Sequence, residues 1–274
     1  MTASAVSPQS VFVRRLGEGA RKLLALHCTI AHSGAWSGLA KALDGKVSLV
    51  APDMLSHGRS PDWDGQGNFF DHVTNNAAAE LTGQMDVVGH SFGAIIALRL
   101  ALEHPERVRS LTLIEPVFFA IAHRDAPDLF DQHEKDIEPI NSAFNEGENA
   151  LAARLFNRMW STGISPKWPD LPERTRANMV RGIHAVPAVH SVLYDDQAGL
   201  LKAETLERAA MPTLILSGSE THPVIPAICA GLEHRLPQAH HAVVPGAGHM
   251  LPISHPHETA ALLQAFWQSS PTED

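Results

Sequence analysis

Residues 85–108 read MDVVGHSFGAIIALRLALEHPERV, and this stretch decides the fold. The apolar run MDVV passes through Gly89-His90-Ser91-Phe92-Gly93 directly into the amphipathic pattern AIIALRLALEHPERV. That order predicts a buried strand, a sharp turn and a helix. The two glycines have a steric reason, since residues two positions either side of the apex must be small for strand and helix to approach each other. Ser91 stands at the apex, in front of a helix N-terminus whose positive dipole favours negative charge developing nearby. It is the candidate nucleophile, with His90 read as a packing residue of the turn.

Outward from this segment, short apolar runs alternate with helical patterns: SVFVRRL (10–16), RKLLALH (21–27), KVSLVAPD (46–53), VRSLTLIEP (108–116), PTLILSG (212–218) and HHAVVPG (240–246). Runs that are apolar throughout, rather than alternating, predict a mostly parallel sheet covered by helices on both faces, an α/β fold with right-handed crossovers. Between 118 and 208 strand signals vanish and helical, Trp-containing stretches such as ENALAARLFNRMWSTG and PERTRANMVRGI take over. A segment that long and that apolar is not a structureless loop. The expectation is a helical cap, 118–208, inserted into a core of 1–117 and 209–274 and lying over one edge of the sheet, with ISPKWPDLP (164–172) breaking its helices.

Bulk properties narrow the function classes. With 274 residues, 44% hydrophobic and 19% charged, the chain has material for one substantial core. A net charge of -9 argues against nucleic acid or a membrane surface as partner and favours a small-molecule substrate. None of the 17 histidines falls in a compelling metal-binding spacing, and most read as surface or loop residues. Two cysteines, Cys28 and Cys229, imply no disulfide framework. The opening MTASAVSPQS reads as a frayed tail and not a signal peptide, so a cytoplasmic location is expected. Nothing in the sequence marks an oligomer interface.

The strand-GHSFG-helix segment resembles the nucleophile elbow of the α/β-hydrolase superfamily, and the likeness extends from about residue 10 to 270. It implies a serine hydrolase with the order serine, acid, histidine, and with no metal or organic cofactor. HAVVPGAGHMLPISHP (241–256) is similar to the family's histidine loop and makes His249 the general base, in preference to His255. LHCTIAHSGAW (26–36) resembles the oxyanion loop, from His27 to Trp36, with Cys28 and Ala31 in place of its usual glycines. By position, the backbone N–H of Thr29 pairs with that of Phe92 to hold the oxyanion. Cys28 reads as a small buried residue filling the glycine's place. APDMLSHGRS (51–60) resembles a conserved turn of the family, with Ser56 in place of its first glycine and with Asp53 and Arg59 holding the loop.

The family's acid usually follows the strand after the cap, where this chain has ILSGSETHPVIP and Thr221 stands in its place. Two carboxylates remain, Glu220 beside it and Glu115 at the end of LTLIEP. A carboxylate ending an apolar strand is costly to desolvate without a partner, and some family members carry their acid there. Glu115 is therefore favoured. The resemblance implies cleavage of a small, largely apolar ester or lactone through an acyl-enzyme, with Phe118, Phe119, Phe156, Met159 and Trp160 as candidate pocket residues. A catalytically weak ligand-binding protein, and carbon–carbon hydrolase or haloperoxidase-like activity on the same triad, are the alternatives.

Overall fold

The computed structural model describes residues 10–161 and 165–268; the first nine residues of the expected frayed tail, and Ile164 of the Pro-rich piece, lie outside them. Seven strands form one sheet: β1 (Val13–Leu16), β2 (Arg21–Leu26), β3 (Val47–Pro52), β4 (Met85–His90), β5 (Val108–Ile114), β6 (Thr213–Gly218) and β7 (Ala239–Val244). Their order is β1-β3-β2-β4-β5-β6-β7. Only β1 runs antiparallel to its neighbour; every other pair is parallel. Each run singled out in the sequence is a strand.

Helices α1 (Ser37–Ala42), α2 (Phe69–Ala79) and α3 (Phe92–Glu103) lie between the early strands. Between β5 and β6 come α4 (Phe119–Asp125), α5 (Pro127–Asn145), α6 (Asn149–Met159), α7 (Glu173–Gly182), α8 (Ala185–Ala188), α9 (His190–Asp195) and α10 (Ala203–Leu206). After β6, α11 (Val224–Arg235) leads to β7, and α12 (Leu251–Ser254) and α13 (Pro256–Gln268) follow it. Among the described residues, no helix is long and apolar enough to cross a membrane.

The strands are apolar throughout because successive side chains enter two different cores. Leu24 and Leu26 of β2 pack into one with α2, α3 and α11. Leu23 and Ala25 pack into the other with Trp36, Leu39 and the α13 residues Leu263, Phe266 and Trp267. The insertion between β5 and β6 has a small core of its own, in which Ile137 and Ile140 of α5 meet Ala152 and Ala153 of α6 and Ile183. Ile30, from the loop after β2, packs into this third core and ties the insertion to the sheet. Among the described residues between the end of α6 at Met159 and the start of α7, the chain forms a short turn at Trp168–Asp170, where its prolines disfavour a longer helix.

At the start of β4, Asp86 is buried and receives Arg21, Arg109 and the hydroxyl of Ser110. This charge network ties β2, β4 and β5 together at the end of the sheet opposite Ser91. Its partners are distant in the sequence, so no local motif marks Asp86.

Candidate active site

The turn at Ser91 is built by close backbone approach. Ser91 has a φ of 56°, outside the range side chains ordinarily adopt, and its N–H donates to the Ile114 carbonyl at 2.9 Å. A Cβ at Gly89 would stand 2.1 Å from the carbonyl oxygen of Gly93, and one at Gly93 would stand 2.3 Å from that of Leu26. Only glycine fits at either place. The strained backbone costs about 1–3 kcal/mol, offset by the packing of α3, which is buried along nearly its whole length.

One strand over, Glu115 repeats the device, with a φ of 51° and its N–H donating to Leu216 O at 2.8 Å. Its side chain is 0% exposed. The carboxylate is satisfied by three donors: Gly218 N–H to Oε1 at 2.6 Å, His249 Nδ1 to Oε2 at 2.9 Å, and the Thr221 hydroxyl to Oε2. Thr221, standing where the family's usual acid would be, thus binds the carboxylate that faces His249. Glu220 is exposed, and it is Glu115 and not Glu220 that the fold brings to the imidazole.

His249 is held from several sides. The C-terminal end of β6 presses on its loop, since a Cβ at Gly218 would lie 2.1 Å from Ala247 O. His90 Nε2 donates to the main-chain carbonyl of His249 at 2.8 Å, which fixes the loop to the end of β4. Burial and the adjacent His249 push the His90 pKa down to about 3, so this ring is a neutral structural donor. The Trp160 ring packs against His249 with centroids 4.3 Å apart. With Nδ1 bound to Glu115, Nε2 is the imidazole nitrogen left for chemistry. Ser91 and His249 line the same cavity, with no hydrogen bond between them.

The loop after β2 is braced by two buried histidines. His27 donates from Nδ1 to Cys28 O at 2.8 Å and accepts from Met54 N–H at Nε2, at 3.0 Å. His57 donates from Nδ1 to Leu55 O at 2.8 Å and accepts from Ile30 N–H at 3.1 Å. These roles require neutral rings. Burial lowers the His27 pKa to about 4, and burial with the neighbouring His27 lowers that of His57 to about 3. Asp53 joins in, its two oxygens accepting from Ser33 N–H at 2.6 Å and Arg59 N–H at 2.8 Å, while Ser56, with a φ of 62°, accepts from Trp63 N–H. The loop therefore holds Thr29 rigidly despite its missing glycines. Cys28 is buried, and that burial pushes its thiol up to about 12.

Thr29 and Ser91 line two adjoining cavities, and the first residue of α3 is Phe92. Among the described residues, neither the Thr29 nor the Phe92 backbone N–H has a hydrogen-bond partner. Two expected pocket residues need correction: Phe118 is fully buried in the core, and Met159 lines a separate cleft with Asp136 and His222. Their neighbours in sequence, Phe119 and Trp160, take the cavity side, because a helix or turn presents one residue of such a pair inward. The insertion meets the sheet over the carboxyl ends of β2, β4 and β7 rather than over a lateral edge. His57 and His133, the latter bound to the Tyr194 hydroxyl at 2.7 Å, went unnoticed in the sequence. Only the placing of His57 inside the 51–60 motif hinted at it. Among the described residues no three His, Cys, Asp or Glu side chains converge as a metal site requires.

The sequence model of the alpha/beta hydrolase family matches residues 23–262. The chain is similar to a pimeloyl-[acyl-carrier protein] methyl ester esterase of Nitrosomonas europaea, 27% identical over 94% of this chain and 99% of that one. It is likewise similar to a 2-hydroxymuconate semialdehyde hydrolase of a Pseudomonas species, 30% identical over 80% of this chain and 75% of that one. Among solved structures, an alpha/beta hydrolase from Sphaerobacter thermophilus superposes with a TM-score of 0.71 at 19% identity, covering 95% and 99% of the two chains.

Proposed function

The chain belongs to the alpha/beta hydrolase family, and we propose that within it the protein is a serine hydrolase of carboxylic esters, lactones included. Ser91 is the nucleophile, His249 the general base and Glu115 the acid. The single observation that carries this reading is the convergence of Glu115 Oε2 on His249 Nδ1 at 2.9 Å, with the opposite imidazole nitrogen left for the cavity that Ser91 lines.

In the reaction, Ser91 Oγ attacks the ester carbonyl as its proton passes to His249 Nε2. Glu115 keeps the proton on Nδ1 and stabilises the imidazolium while it lasts. The N–H groups of Thr29 and Phe92 receive the oxyanion, each such donor contributing about 3 kcal/mol to the transition state. His249 then returns the proton to the leaving alcohol, and a water activated by the same nitrogen releases the acid. The helical insertion acts as a cap over this centre.

The ester esterase relative supports ester cleavage. The semialdehyde hydrolase relative favours a second reading, in which the same groups cleave a carbon–carbon bond. Against it, among the described residues neither cavity at Ser91 is lined by Lys or Arg to hold an acidic substrate. Hydrolysis of p-nitrophenyl butyrate by wild type and Ser91→Ala tests the proposal. Loss of roughly 10³-fold or more in kcat supports it; turnover by Ser91→Ala near the wild-type rate removes it.

A further inference from the structure

Two cavities meet at Ser91. Both are walled by Thr29, Phe156 and Trp160, but only the first, ≈ 280 Å³, has His249 in its lining; the second is ≈ 430 Å³. Resting on the serine-esterase reading above, we propose that the second cavity holds the acyl group and the first the alcohol. The substrate class is then an open-chain neutral ester joining a medium-length apolar acyl chain to a compact alcohol with hydrogen-bonding groups.

The assignment follows the proton. A bond forms between Ser91 Oγ and the acyl carbon as the serine proton moves to His249. When the tetrahedral adduct collapses, the bond to the alcohol oxygen breaks and that oxygen leaves with the proton. It must therefore lie within reach of His249 Nε2, and so must the water that later replaces it. The substituent on the acyl carbon stays on the enzyme, and the space next to Ser91 that excludes His249 is the second cavity.

The linings agree with this division. The second cavity is walled by the buried side chains of Val117, Phe119, Ile137, Val189, Leu193 and Tyr194, and its rim carries exposed Asn141, Asn145 and His190. It thus runs from Ser91 towards solvent, so that the far end of an acyl chain meets water and polar groups rather than a closed floor. The first cavity is as apolar as the second, with Ile30, Met179, Met250 and Ile253 in its wall, but it also presents half-buried Asn157, Ser161, Thr175 and Asn178, amides and hydroxyls that can meet further hydroxyls on a compact alcohol. Among the described residues, neither lining contains Asp, Glu, Lys or Arg. A carboxylate or phosphate held beside Ser91 in either cavity, away from the open rim, would be desolvated without a counter-charge. A small lactone, whose acyl and alcohol parts are tied together, would fill only one cavity and is expected to be the slower substrate beside an open-chain ester.

The test uses four esters, acetyl and octanoyl, each joined to methanol or to glycerol, with kcat/KM measured for wild type, Val186→Phe in the second cavity and Asn178→Leu in the first. Wild type is expected to prefer octanoyl over acetyl. Val186→Phe should lower the octanoyl-to-acetyl ratio about tenfold for both alcohols, and Asn178→Leu should lower the glyceryl-to-methyl ratio for both acyl groups by a similar factor. Should Val186→Phe fold poorly, Leu193→Phe probes the same wall. Ratios that stay fixed, or that move with the roles of the two cavities exchanged, overturn the assignment. Persistent hydrolysis of all four esters by Ser91→Ala would instead remove the reading beneath it.

Discussion

Replacing Glu115 by Gln keeps the side chain's volume and removes its charge, which isolates what the carboxylate does for His249. In the wild-type chain Oε1 accepts from Gly218 N–H and Oε2 from His249 Nδ1 and Thr221. A glutamine can keep its oxygen on Gly218, which turns its NH₂ towards His249. The imidazole then answers with a lone pair at Nδ1 and carries its proton on Nε2, the nitrogen that must accept from Ser91. A base held in the wrong tautomer costs about 10⁴ in kcat, or roughly 5 kcal/mol of transition-state stabilisation. The fold should lose only about 1–2 kcal/mol, because neutral hydrogen bonds to Gly218, His249 and Thr221 replace charge-assisted ones. The assay is kcat on p-nitrophenyl butyrate beside urea unfolding. Thr221 already reaches Oε2, so a carboxylate placed at 221 lies near the same imidazole. Glu115→Ala with Thr221→Asp should therefore recover at least about 10²-fold over Glu115→Ala alone. An E115Q enzyme within tenfold of wild type, with no gain in the double variant, would refute the relocation of the acid to β5.

Acid stability should follow the buried histidines: His27 titrates at about 4 and His57, His90 and His133 at about 3, against 6.5 when exposed. Unfolding between those values takes up protons, so stability is full above pH 6.5 and falls as pH drops, by at most about 1.4 kcal/mol per pH unit for each ring. Urea unfolding from pH 7 to 5 measures the slope, and His57→Gln should reduce it by one proton; a flat profile would contradict the neutral assignments. Gly93→Ala drives a Cβ to within 2.3 Å of the Leu26 carbonyl and 2.5 Å of that of His27, at the base of the Thr29 loop. It should lower both stability, by about 2 kcal/mol or more, and kcat, and unaltered activity would show that the loop can yield. Asp86→Ala removes the buried carboxylate that Arg21 and Arg109 share at the far end of the sheet and should cost about 3 kcal/mol of stability with kcat little changed, as thermal melts and initial rates will show.

The fold was legible because the parallel strands must be apolar on both faces, which leaves uninterrupted runs such as KLLAL and TLILSG in the sequence. Ser91 was legible because sterics alone demand the two glycines around it. Glu115 could be read from the cost of a carboxylate ending LTLIEP, and the fold then supplied what the sequence had no means of showing, three donors from β6, the following loop and the base loop. Other contributions stayed hidden because their partners are distant in sequence. His57 braces Ile30 from 27 residues away, and Asp86 gathers Arg21 from 65 residues away. The pocket residues were read less well: which of Phe118 and Phe119, or Met159 and Trp160, turns towards Ser91 depends on how the insertion docks, and no periodicity within the insertion encodes that.

The most direct measurement of the central claim is covalent. Incubating the protein with a fluorophosphonate probe and taking the intact mass should show addition of one probe per chain. Tryptic fragments should carry it on the peptide containing Ser91, and prior exposure to an ester substrate should slow the labelling. An unlabelled chain, or a probe found on another residue with Ser91→Ala labelled as readily as wild type, would contradict the account.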